Sequence, residues 1–259
     1  MKQRILSALC LLPLPVLAIY FGSPWFEILV AVILTIMAWE WEKMVLNRFS
    51  VLGMAIAVTG VVCVFLLDLK PCVAWILPIV TTLVLFFVVK KEKTGHEKLF
   101  AFGVPYSVYP VMALVYFRQD FGFLATVWLL VTVWAMDSGA YFFGKAIGGP
   151  KMAPKISPKK TWAGLFGGIF LSGVWGFALA YFLKMPAVLE IATVSAVLGG
   201  VSQMGDLAES AIKRYLGVKD SSNLIPGHGG VYDRIDAILL LAPIALLLTL
   251  FVPALNFWG

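Results

Sequence analysis

The sequence predicts an all-α, polytopic integral membrane protein of about nine transmembrane helices, with its N-terminus cytoplasmic and its C-terminus outside. Three observations carry that expectation. Of 259 residues, 61% are hydrophobic and 13% charged, and mean hydropathy is +0.94; a soluble domain averages roughly 45–50% apolar and about 25% charged residues. Apolar runs recur at residues 5–21, 24–39, 51–69, 71–89, 99–117, 121–143, 161–183, 187–205 and 236–257, each near the length of about 20 residues that a bilayer-spanning helix needs. Finally, if the N-terminus is cytoplasmic, all of the 20 Lys and Arg residues except Lys70, Arg118 and Lys184 fall on the cytoplasmic side. That is the asymmetry of the positive-inside rule.

Taken in order, Met1-Lys2-Gln3-Arg4 before the first run imitates a signal peptide. No small-x-small cleavage site follows and Pro13 and Pro15 interrupt the run, so the expectation is an uncleaved first helix. Prolines also fall in the fifth run, which membrane helices tolerate. No soluble insertion or repeat breaks the chain, so residues 1–259 read as a single membrane domain, with N-terminal spans over 1–119 and a motif-bearing half over 120–259. The net charge of +6 follows from the lysine-rich cytoplasmic loops, and no nucleic-acid partner is expected. Cys10, Cys63 and Cys72 lie in apolar runs without C-x-x-C spacing and read as small hydrophobes. The loop KKEKTGHEK, residues 90–98, reads as a solvated connector near anionic headgroups, and His96 goes with it.

The loops at 144–160 and 206–235 differ in kind. Six of the 14 acidic residues are Asp137, Asp206, Glu209, Asp220, Asp233 and Asp236, all at the cytoplasmic ends of the sixth, eighth and ninth runs or in the loop joining the last two. Asp137 precedes Lys145 by eight residues, on the order of 12 Å along a helix rising about 1.5 Å per residue; an ionisable group at that depth needs a partner or a wet cavity. Asp206 and Glu209 are spaced i, i+3, as are Asp233 and Asp236, so each pair shares a face if helical. Converging carboxylates need something positive between them. Spacing leaves open a hard cation taking oxygen ligands and an ion-pair network with Lys213, Arg214 and Arg234.

The basic residues add a phosphate signal. Ser157-Pro158-Lys159-Lys160-Thr161 sets hydroxyls and ammonium groups at an expected helix N-terminus, a natural anion site. The stretch PGHGG, residues 226–230, can form a nest of backbone N–H groups. Gly148-Gly149 is no P-loop, because the spacing is missing.

The run S-A-I-K-R-Y-L-G-V-K-D-S-S-N-L-I-P-G-H-G-G-V-Y-D-R-I-D, residues 210–236, resembles the signature of phosphatidate cytidylyltransferases, the CDP-diacylglycerol synthases. D-S-G-A-Y (137–141), S-P-K-K-T (157–161) and Q-M-G-D (203–206) resemble further segments of that family. Ala163 departs from it, since many members carry Glu there, and it receives no role. The resemblance implies a Mg²⁺-dependent transfer of the cytidylyl group of CTP to phosphatidic acid, with a second cation left open, by a multi-pass protein of the bacterial inner membrane. Its active site would face the cytoplasm, and the protein would be a homodimer.

On this reading Asp206, Asp233 and Asp236, with Asp137 as a fourth, form the metal centre. Asp206, Asp233, Asp236, Lys213, Arg214 and His228 are the catalytic candidates, with His228 shaping the loop or contacting phosphate. Ser157, Lys159, Lys160, Thr161, Lys219, Asp220, Gly229, Gly230 and Arg234 are the candidates for substrate binding. Trp134 and Trp162 read as membrane packing or interface anchors. Two rivals remain: a cation-coupled transporter, disfavoured because the acids bunch at one face, and a CTP-using lipid kinase such as a polyprenol or phytol kinase.

Overall fold

The structure is a computed structural model, and it describes residues 13–251 and 258. The start of the first apolar run, with Lys2, Arg4 and Cys10, and the end of the last run, over 252–257, lie outside the described residues.

Among those residues each apolar run forms a helix. They are α1 (Pro13–Phe21), α2 (Trp25–Leu46), α3 (Val51–Leu66), α4 (Pro71–Lys91), α5 (Glu97–Asp120), α6 (Gly122–Ala146), α7 (Trp162–Phe182), α8 (Val188–Tyr215) and α9 (Tyr232–Phe251). The six helices α4 to α9 are long and apolar enough to cross a membrane; α3 is apolar but shorter. In hydrocarbon a helix satisfies its own backbone hydrogen bonds, which is why apolar runs take this form.

Two helices outrun their apolar stretches. α2 continues through Glu40 and Glu42 to Leu46, and α8 through Asp206, Glu209 and Lys213 to Tyr215. The carboxylates that the sequence leaves at run ends are therefore carried on helices.

One segment departs from expectation. Ser157–Thr161 is not a loop leading into a helix; it is a strand, β2, paired antiparallel with β1, Lys151–Ala153. Gly148 and Gly149, at φ +69° and +90°, turn the chain back after α6, and Pro158 has no N–H to contribute to a helix. Thr161 alone of the five sits at the helix start: its Oγ1 accepts from Gly164 N at 3.1 Å and caps α7.

The chain parts into two compact units, one of Met1–Gln119 with Tyr215–Ile235, the other of Asp120–Arg214 with Asp236–Gly259. In the first, Trp41 of α2 is buried and donates from Nε1 to the Phe100 carbonyl of α5 at 3.1 Å. The Tyr232 ring is fully buried there, lies 5.7 Å from Trp41 and 6.1 Å from Tyr106, and its hydroxyl is hydrogen-bonded to Ser107.

In the second unit α6 and α7 pack through glycine. A Cβ at Gly139 would lie 2.6 Å from the Gly167 carbonyl oxygen and 2.8 Å from Gly168 Cα, so only hydrogen permits the approach. Small residues let membrane helices close on one another where no hydrophobic force drives them. Hydrogen bonds supplement the contact: Ser172 Oγ donates to the Thr132 carbonyl at 3.2 Å, and Trp128 Nε1 donates to Ser195 Oγ on α8 at 2.8 Å.

The obstacle at Gly139 is backbone and cannot rotate away. Gly139→Ala should therefore cost about 1–3 kcal/mol or more through overpacking, read as a lower melting temperature in detergent. Gly200→Ala on α8, where a Cβ would meet only the Ile169 side chain at 3.5 Å, serves as the comparison. An unshifted Gly139→Ala would mean that α6 and α7 do not approach this closely.

Candidate functional site

The second unit gathers one set of the expected residues. Asp137 on α6, Lys159, Lys160 and Thr161 on the hairpin and Asp206 on α8 line a cavity of about 210 Å³ together with Tyr141, Gly164 and Gln203. The strand delivers the lysines and the glycine-packed helices hold the strand: a Cβ on Gly144 would meet Thr161 Oγ1 at 3.1 Å. Lys160 Nζ stands 2.5 Å from Asp206 Oδ2, and Ser210 Oγ donates to Asp206 Oδ1 at 3.3 Å. One turn further along α8, buried Glu209 pairs with Lys213 at 2.5 Å.

Asp236, at the start of α9, lies within electrostatic reach of Asp206, Glu209 and Lys213, and its Oδ1 accepts from the Ala237 N–H at 2.8 Å. Gly205 makes this closeness possible, since a Cβ there would stand 2.9 Å from the Asp236 carbonyl. Arg214 points its Nε at the Ile156 carbonyl, 3.4 Å away in the hairpin turn. Ser157 lines none of the cavities described; it pairs with Ala153 in the hairpin.

The first unit gathers the rest. Lys219, Asp220, His228, Gly229 and Arg234 line a cavity of about 550 Å³ with Asn223, Ile225, Pro226 and Gly227. The PGHG stretch is a tight turn closed by Ile225 N to the Gly229 carbonyl at 2.8 Å and His228 N to the Ile225 carbonyl at 2.9 Å, with Gly227 and Gly229 at φ +77° and +81°, a region that favours glycine. His228 presents its ring to the cavity wall with Nδ1 lacking a hydrogen-bond partner.

Asp233 does something the spacing did not foresee. Its Oδ2 accepts from Ser221 N at 2.9 Å, Ser221 Oγ at 3.0 Å and Gly230 N at 2.7 Å. Two backbone N–H groups of this loop, Gly230 among those the nest reading offered to a ligand, are thus taken by the protein's own carboxylate. Asp233 organises its loop with this oxygen, and stands one turn before Asp236 on α9.

Sequence reasoning missed Glu40. It is fully buried and accepts from Ser222 Oγ at 2.5 Å, Ser221 Oγ at 3.1 Å, and the N–H groups of Val231 and Tyr232 at 2.9 Å each. The available signal was its position: a carboxylate between Trp39 and Trp41, one residue past an apolar run.

The donors can be tested against a divalent cation. Among the described residues no three His, Cys, Asp or Glu side chains converge closely enough to hold a metal unaided. Mg²⁺ asks for less, because it commonly takes one or two carboxylates and completes its shell with water and substrate phosphates. Asp206 and Asp236 are oxygen donors within each other's field, and Asp137 lines the cavity beside Asp206. That set fits the ion when phosphate accompanies it.

Fold and site together give a helical protein with six helices long and apolar enough to cross a membrane and a cavity lined by lysines and carboxylates. The family model described as the cytidylyltransferase family matches residues 2–252. The chain is 31% identical to a phosphatidate cytidylyltransferase of Haemophilus influenzae over 94% of its own length and 96% of that protein's, and 33% identical to one of Pseudomonas aeruginosa over 94% and 95%. It is 44% identical to the Brucella suis protein of the same name over 55% of this chain; there the chain spans about half the relative's length, 53%. The chain belongs to the cytidylyltransferase family.

Proposed function

We propose that this protein transfers the cytidylyl group of CTP to phosphatidic acid, forming CDP-diacylglycerol and pyrophosphate. The observation that carries the reading is the cavity where Lys159 and Lys160 face Asp137 and Asp206, cation donors and anion-binding groups in one wall, in a chain whose relatives bear that enzyme's name.

The chemistry needs little more. A phosphate monoester, with a second pKa of about 6, is largely dianionic at neutral pH, so its oxygen attacks the α-phosphorus of CTP without a strong base. The bond from that phosphorus to the oxygen bridging to the β-phosphorus breaks, and pyrophosphate leaves with that oxygen. The obstacle is repulsion between anions, which positioned cationic groups relieve. Lys160, now paired with Asp206, and Lys159 are placed to bind phosphate oxygens. In the other unit Lys219 and Arg234 line a cavity with His228 and are proposed to bind phosphate as well. Mg²⁺, when bound, would be held by Asp206 and Asp236 with Asp137 near, and would neutralise phosphate charge.

Purified protein given CTP, phosphatidate and Mg²⁺ should release pyrophosphate. Release of CDP would instead mark a kinase, and release of neither a transporter. Lys160→Ala should lower kcat/KM by about 10- to 150-fold, the worth of one charge-assisted contact, in protein that still folds. Asp236→Asn should abolish turnover at ordinary Mg²⁺. Near-normal turnover in Asp236→Asn would remove that residue from the cation site.

The reading extends to nine spans in the bacterial inner membrane with the site facing the cytoplasm, supported by the Lys and Arg asymmetry, and to a homodimer, supported by the motif resemblance. In a cysteine-free background, Lys155→Cys should label from the cytoplasmic side and Lys70→Cys from the outer side. Labelling of both from one side would overturn the topology.

A further inference from the structure

We propose that Glu40 is a positioning residue for the loop over 219–230, setting through buried hydrogen bonds the geometry in which Lys219, His228 and Arg234 meet substrate. The proposal rests on the cytidylyl-transfer reading of that loop.

Glu40 belongs to α2, far from the loop in sequence, yet both of its oxygens are used there. Oε1 takes Ser222 Oγ and Val231 N; Oε2 takes Ser221 Oγ and Tyr232 N. The two N–H groups stand where α9 begins, and a carboxylate bridging such groups fixes the direction in which the helix starts. Ser222 Oγ in turn accepts from Leu224 N at 3.1 Å, carrying the restraint further along the loop.

Ser221 couples Glu40 to the second organiser. Its Oγ lies 3.1 Å from Glu40 Oε2 and 3.0 Å from Asp233 Oδ2, so the two carboxylates clasp the loop through one hydroxyl. Gly230 is where they meet: a Cβ there would strike both Ser221 Oγ and Glu40 Oε1. The glycine that the sequence offers as part of an N–H nest is required by the buried carboxylate behind it. One and two turns beyond Glu40, Lys43 and Asn47 line a second cavity, of about 380 Å³, with Lys219, Asp220 and Asn223, so α2 and the loop share a wall.

The same helix supplies the control. Glu42 is equally buried and equally a helix-start acceptor, taking Ser50 N at 2.9 Å and Gly53 N at 2.8 Å, but it serves α3 and hydrogen-bonds no residue of the loop. A merely structural role for Glu40 would make the two glutamates equivalent.

The experiment compares Glu40→Gln and Glu42→Gln in the full-length purified protein. Glutamine keeps the shape and turns one acceptor into a donor facing donors. Both variants should melt lower. Glu40→Gln should lose about 10- to 150-fold in kcat/KM for CTP per folded molecule, as expected for charged hydrogen bonds that hold a site, and Glu42→Gln should stay within about threefold of wild type. Amide exchange over 219–231 should accelerate at least about tenfold in Glu40→Gln and not in Glu42→Gln, because local opening reports local stability. Glu40→Asp, which keeps both oxygens, should recover part of each loss. If Glu40→Gln does not fold, Ser222→Ala, which deletes one donor, carries the exchange comparison.

Loop exchange in Glu40→Gln equal to that in Glu42→Gln, or equal kinetic losses in the two, would overturn the proposal. If wild-type protein transfers no cytidylyl group, the proposed function falls instead, and the exchange rates still decide the role of Glu40.

Discussion

Charge buried among apolar helices must be met by a partner, because an unpaired ion in a low-dielectric interior costs several kcal/mol even after relaxation. Much of the polar architecture of this protein follows from that constraint. In the first unit Glu40 is met by two hydroxyls and two N–H groups, and meeting it dictates where the loop and the start of α9 lie. In the second, Glu209 is met by Lys213 and Asp206 by Lys160.

The two ways of meeting charge differ in what they permit. Backbone N–H groups cannot leave, so the Glu40 arrangement is rigid. A lysine can leave: the Lys160 ammonium lies at the end of a flexible stem on a strand bordering the cavity. Under the proposed function, phosphate would take Lys160 and a cation would take Asp206, so the pair would be exchanged rather than left uncompensated. The first unit thus holds its loop by fixed backbone donors, and the second carries a pair whose lysine is free to exchange partners.

Hydrophobic runs made the helices legible, since in lipid an apolar segment has few other ways to satisfy its backbone. Asp206 and Asp236 were legible too, through spacing and motif, and so was the grouping of Lys159, Lys160 and Thr161. What escaped depends on contacts distant in sequence. Glu40 and Ser222 are 182 positions apart, and no local pattern links them. The hairpin at 151–161 escaped because the lysines looked like a loop before a helix, whereas strand pairing is decided by the partner segment. Asp233 was read by its spacing to Asp236, and both stand on α9; that Ser221 and Gly230 donate to its Oδ2 no spacing could show. Gly230 was read as part of a nest of N–H groups, and the carboxylate of another helix also leaves no room there for a Cβ.

The central claim is that the α-phosphate of CTP ends on the lipid. Incubating the purified protein with phosphatidate and CTP labelled in either the α or the γ phosphate, then extracting the lipid, tests it directly. Label from the α position should enter the lipid fraction, and label from the γ position should remain in water as pyrophosphate. Lipid carrying γ label, or neither label, would contradict the account.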